Sequence, residues 1–197
     1  ADASFTPLDD GRFAVTLTVT ADQGTFVDTL DVFVRNAPPR VDLGGPYESL
    51  REGDVVDFSS AVSDPGTGDL WTVLWTVQHN GGDVWEYSGR DFQLALPEDG
   101  QYLVSVQVDD GDGGWTEGSV TLNVANAPPV AVAGGPYAID EGGSLPLDAS
   151  ASSDPGGPHD PLSYSWDLRV GDIWLLDIAA GATPMLTRPQ LVALGLD

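Results

Sequence analysis

The sequence predicts an all-β chain built of two-sheet β-sandwiches in tandem. Three observations carry that prediction. Apolar and polar residues alternate with a period of two in short runs. Turn residues separate those runs at intervals of roughly 8–12 residues. A block of motifs also recurs: Asn36-Ala37-Pro38-Pro39 and Gly44-Gly45-Pro46-Tyr47 return 90 positions later as Asn126-Ala127-Pro128-Pro129 and Gly134-Gly135-Pro136-Tyr137.

Residues 1–35 predict a strand pair. Phe13, Val15, Leu17 and Val19 alternate with Ala14, Thr16 and Thr18, the pattern of a half-buried strand. Leu30 to Val34 follows the turn at Ala21-Asp22-Gln23-Gly24. Both runs reappear downstream. Asp10-Gly11-Arg12-Phe13-Ala14-Val15 parallels Asp99-Gly100-Gln101-Tyr102-Leu103-Val104, and Leu30 to Asn36 parallels Val120 to Asn126. Residues 1–35 therefore read as the C-terminal half of a repeat.

Residues 36–125 read as one whole repeat. Val55 to Phe58 is a strand after the Glu52-Gly53 turn. Ser63-Asp64-Pro65-Gly66 is a turn: the Asp side chain accepts local backbone bonds, Pro presets φ, and Gly permits positive φ. Trp71 to Val77, Val84 to Tyr87, Phe92 to Leu96, Tyr102 to Val108 and Val120 to Val124 complete the strands. Trp75 and Trp166 are expected in the core, whereas Trp85 and Trp174 suit either core or surface.

Residues 126–197 read as the N-terminal part of a further repeat. Glu141-Gly142, Ser153-Asp154-Pro155-Gly156, Tyr164-Ser165-Trp166 and Gly171-Asp172-Ile173-Trp174 match the motifs at Glu52, Ser63, Val73 and Gly82. Thr187 to Leu194 departs from the pattern, with an N-cap residue and a proline near the first turn, and predicts one short helix.

Composition narrows the function. With 41% apolar residues the chain can form a core. Its net charge is −24 and all seven basic residues are arginine. Such a surface repels nucleic acid and anionic membranes. No apolar run approaches the roughly 18 residues of a membrane helix, so membrane insertion is not expected. Ala1-Asp2-Ala3-Ser4 does not open a signal peptide, so export would rely on a segment removed or lying outside this sequence. The acid excess fits divalent-cation binding, adaptation to salt, or solubility. Without cysteine there is no disulfide, thiol nucleophile or thiolate metal ligand. Histidine occurs only at His79 and His159, and neither a zinc-protease motif, a serine elbow nor a phosphate loop is present. The expectation is a protein that is not an enzyme. Asp109-Asp110-Gly111-Asp112-Gly113-Gly114 places three carboxylates on one turn, a weak calcium signal by itself.

The ordered series Asn-Ala-Pro-Pro, Gly-Gly-Pro-Tyr, Glu-Gly, Ser-Asp-Pro-Gly, Ser-Tyr-Ser-Trp-Asp, Asp-Gly-x-Tyr-x-Val and Val-Asp-Asp-Gly-Asp-Gly-Gly resembles the polycystic-kidney-disease (PKD) type of immunoglobulin-like domain. The resemblance covers the whole chain as half, whole and half units. It implies immunoglobulin-like seven-strand β-sandwich repeats, set outside the cell or on its surface. It also implies calcium at each entry linker. Matching positions give Asn36, Asp64, Asp109 and Asp110, with Asp112 beside them, for the whole unit. For the split unit they give Asn126 and Asp154, with Asp22 supplied by an N-terminal half. The family's Trp-Asp-Phe-Gly-Asp-Gly loop is replaced by Trp166-Asp167-Leu168-Arg169-Val170-Gly171 and by Trp75-Thr76-Val77-Gln78-His79-Asn80. The hydroxyl of Tyr102, after Asp99-Gly100, is expected to bond backbone as a tyrosine corner does.

Neither half-unit can bury its sheet or satisfy its edges alone. Three arrangements meet that need: residues 1–35 of one molecule docked on residues 126–197 of the next, a longer tandem array, or pairing of the two halves within one chain. The resulting expectation is a structural or adhesive repeat protein, self-associating head to tail and stiffened by calcium. The alternative is a carbohydrate- or protein-binding accessory module of a secreted hydrolase, whose contact residues would be Trp85, Tyr87 and Trp115 and whose partners would be polysaccharide or surface proteins.

Overall fold

The computed structural model describes residues 4–196, and apart from one short helix the regular structure is all β. Two compact units are present. The first holds residues up to Leu50 with Val55–Ala95 and Gly100–Asn123; the second holds Arg51–Asp54, Leu96–Asp99 and Val124 onward.

In the first unit, β1 (Gly11–Ala21) and β2 (Gly24–Val34) form an antiparallel hairpin, in register from Gly11 opposite Val34 to Ala21 opposite Gly24. Val15, Leu17, Val19, Phe26 and Leu30 share one face of it, and Leu17 and Leu30 are 62% and 58% exposed. The next strands are β3 (Arg40–Asp42), β4 (Val55–Ser59), β5 (Ala61–Ser63), β6 (Thr72–His79), β7 (Val84–Ser88), β8 (Asp91–Ala95), β9 (Gly100–Asp109) and β10 (Trp115–Val124). One sheet runs β10-β9-β6-β7; facing it are the pairs β3-β5 and β4-β8.

Period-two alternation turns Val73, Trp75 and Val77 of β6 and Tyr102, Val104, Val106 and Val108 of β9 into the core. Phe58 of β4 and Phe92 of β8 meet them from the facing strands, with Phe58–Trp75 and Trp75–Phe92 ring centroids 5.7 and 5.1 Å apart. Each such aromatic pair adds about 0.5–1.5 kcal/mol beyond its buried area. Tyr102 is buried and stacks on His79. β3 and β5 were not anticipated, because three residues are too few to show a period. β10 starts earlier than the alternation indicated, at Trp115.

The second unit contains β11 (Leu145–Pro146), β12 (Ser165–Val170), β13 (Ile173–Ala180), β14 (Met185–Leu186) and α1 (Arg188–Ala193). β11 pairs with β14 and β12 with β13. Leu147, Leu186 and Leu191 form a small core with Leu145 and Trp166 packed against it. The helix begins where predicted: Gln190 Oε1 accepts from the Thr187 N–H at 2.9 Å, closing the first turn. The same anchors recur in both units. Trp75 and Trp166 donate Nε1–H to the carbonyls of Gly89 and Gly181 at 3.0 and 2.9 Å. Tyr47 and Tyr137 donate their hydroxyls to the carbonyls of Leu43 and Ala133, both at 2.6 Å. Among the described residues, no helix is long and apolar enough to cross a membrane.

Candidate metal centres

The inward alternation of β9 continues one position past its end. After Val104, Val106 and Val108 the next core-facing residue is Asp110, only 1% exposed. A carboxylate there requires hydrogen bonds or a cation. Its Oδ1 accepts from the N–H groups of Asp112 and Gly114, both at 2.9 Å, and its Oδ2 accepts from Asn36 Nδ2 at 2.7 Å. Burial raises this carboxyl's pKa, but the bonds from Asn36 and the two amides outweigh it and leave it below its ordinary value. Gly114 is required by close approach: a Cβ would strike the Asp110 carboxylate and lie 2.8 Å from Asn36 Nδ2.

Asp64 and Asp69 arrive on the loop between β5 and β6. Asp64 Oδ1 caps its turn by accepting from the Gly66 N–H at 2.7 Å. Oδ2 of Asp64 and Oδ2 of Asp69 are both buried with no hydrogen-bond partner. Asp64, Asp69 and Asp110 each present an oxygen within 4.8 Å of the others, and Asp9, Asp69 and Asp112 do the same. Asp69 therefore stands at the meeting point of five carboxylates. Among the described residues none of the five forms an ion pair. Burial, then the charges of Asp64 and Asp9, push Asp69 up to about 6. Burial, then Asp10 and Asp9, raise Asp112. All-oxygen donors and two orphaned buried oxygens fit a hard divalent cation such as calcium, which takes six to eight oxygens. Asp64, Asp69 and Asp110 would hold it, flanked by Asp9 and Asp112.

A second cluster lies within the second unit. Glu52, Asp154 and Asp160 each offer an oxygen within 4.8 Å of the others. Glu52 is 3% exposed and its Oε1 accepts from the Ala127 N–H at 2.8 Å. That bond lowers its pKa, but burial and the charge of Asp160 prevail and raise it. Asp154 Oδ1 accepts from the Gly156 N–H at 2.9 Å, as Asp64 does from Gly66.

Comparison with known proteins bears on the first cluster. Residues 36–125, which carry Asn36, Asp64, Asp69, Asp110 and Asp112, match the PKD domain family. This stretch is a PKD domain. The chain is also similar to the solution structure of the PKD domain from human VPS10 domain-containing receptor SorCS2, at 20% identity over 64% of this chain and 96% of that one, with a TM-score of 0.35. A search of curated proteins finds no match.

In the PKD domain, then, Asn36, Asp64, Asp110 and Asp112 are brought together. Asp69 and Asp9, which complete the group, were missed by sequence reasoning. Asp109 lies outside the cluster: the alternation that buries Asp110 turns Asp109 to solvent, where its Oδ1 accepts the Gly111 N–H at 2.9 Å. Asp154 joins the second cluster, but Asn126 is exposed, and the linker contributes the Ala127 N–H instead. Asp22 sits in the turn between β1 and β2 and belongs to neither cluster.

The candidate contact aromatics are likewise divided. Trp85 and Tyr87 are on β7 and Trp115 is on β10, at opposite edges of the four-stranded sheet. Tyr87 is half-buried and stacks on Phe92 at 4.4 Å. The three do not form one strip.

Proposed function

We propose that the chain is an extracellular structural or adhesive element of tandem PKD-type immunoglobulin-like repeats. In this reading its half-sandwiches are completed head to tail by strands of a neighbouring copy, and calcium stiffens it. The observation that carries the reading is a match between an exposed face and an open edge. In the PKD domain β9 lies beside β6 and buries Tyr102, Val104, Val106 and Val108. The corresponding residues of β1 are Phe13, Val15, Leu17 and Val19, and the last three are exposed. β12 corresponds to β6, yet among the described residues it pairs with β13 alone. The hairpin of one molecule supplies what the β12 edge of the next requires: backbone pairing and an apolar face. A head-to-tail contact that does not close produces a filament. The work done is mechanical, with proline-rich junctions limiting bending.

Sedimentation velocity of the intact chain in calcium and moderate salt tests this. Oligomers that grow with concentration are expected. Leu17→Lys, which places a charge on the apolar face opposite Asp28, should leave the chain folded and monomeric. A wild-type chain that stays monomeric at its highest soluble concentration overturns the assembly.

A further inference from the structure

We propose that Glu52, Asp154 and Asp160 form a second divalent-cation site, in which the Glu-Gly turn of the PKD domain donates a ligand to the loop of the following repeat. The site shares no residue with the cluster around Asp69. The deciding feature is Glu52. Its side chain is 3% exposed, yet its Oε2 has no hydrogen-bond partner. One carboxylate oxygen each of Glu52, Asp154 and Asp160 lies within 4.8 Å of the others. Gly156 keeps the space open, since a Cβ there would sit 3.0 Å from Oε2 and strike Asp160.

A buried, half-satisfied carboxylate facing two more is costly unless positive charge joins them. Among the described residues no arginine pairs with any of the three. Oxygen donors alone, with three negative charges, select a hard ion of the calcium class over softer metals. In the first cluster Asp64 and Asp69 meet Asp110 of their own domain; here Asp154 and Asp160 meet Glu52 of the preceding one. The cation therefore clasps the Glu52 turn to the loop that carries Asp154 and Asp160. A second clasp on the same loop, between His159 and Glu98, lies next to it.

Calcium titration of the chelator-treated intact chain by isothermal calorimetry tests the site. Two ions per chain are expected. Glu52→Gln, which retains an acceptor for the Ala127 N–H, and Asp160→Asn should each lose one ion. Asp110→Asn should lose the other and keep this one, which separates the present site from the first cluster. Should Glu52→Gln misfold by circular dichroism, Asp160→Asn decides. Unchanged stoichiometry in the folded variants overturns the proposal and leaves a proton shared between Glu52 and Asp160. A chain that binds no ion, or a single ion lost only in Asp110→Asn, overturns it as well.

Discussion

With five carboxylates gathered at Asp69 and no ion pair among them, the metal-free PKD domain holds a repulsion that protons can relieve. Asp69 titrates at about 6, above its ordinary 3.8, so the folded state binds this proton more readily than the unfolded chain. Its contribution to stability therefore grows as pH falls through 6 towards 3.8. Asp110 has the opposite sign: its pKa is depressed, so its contribution is present above the ordinary carboxylate range and is lost as pH falls through its own lower value. In chelator, the Tm should be higher at about pH 5 than at about pH 7, and Asp69→Asn should flatten the difference. A wild-type Tm that declines steadily over that interval would remove Asp69 from this role. Legibility differed among these residues. Asp110 was readable, since it continues the period set by Val104, Val106 and Val108. Asp69 and Asp9 were not, because the approach of two loops leaves no periodic trace. Glu52 was visible as a turn residue, but its burial depends on the linker packed over it.

At the scale of elements, strands with four or more alternating residues were legible and shorter ones were not. β6 and β9 announce themselves through Trp75 and the valines of Val104 to Val108; β3, β5, β11 and β14 are fixed by their partners instead. Trp75 is where the facing strands meet: it is fully buried, contacts Phe58 and Phe92, and is tied to the Gly89 carbonyl. Trp75→Ala should cost about 3–5 kcal/mol in urea denaturation, because little around it can collapse into the space. Trp166 makes the same backbone bond but is only half-buried. Its replacement by Ala should cost less than that of Trp75. Equal costs would mean that the second unit's core is already closed.

For the whole molecule, the charge of −24 with no lysine makes cations part of the energetics and not only of the solvent. Ions bound to the folded state stabilise it by mass action, by about 2.7 kcal/mol per site at roughly a hundredfold excess over Kd. Adding a chelator at constant ionic strength should lower the Tm, and restoring calcium should recover it. A melt indifferent to chelator at constant ionic strength would sink the calcium reading while leaving the β-sandwich untouched. The bond from Ala127 to Glu52 also sets a length. Pro128 and Pro129 follow directly and carry no N–H. If the chain slipped forward by one or two residues, Glu52 would find no amide to hold. The junction thus works as a one-way stop: a one-residue deletion before Ala127 would bring Pro128 to Glu52 and remove the bond.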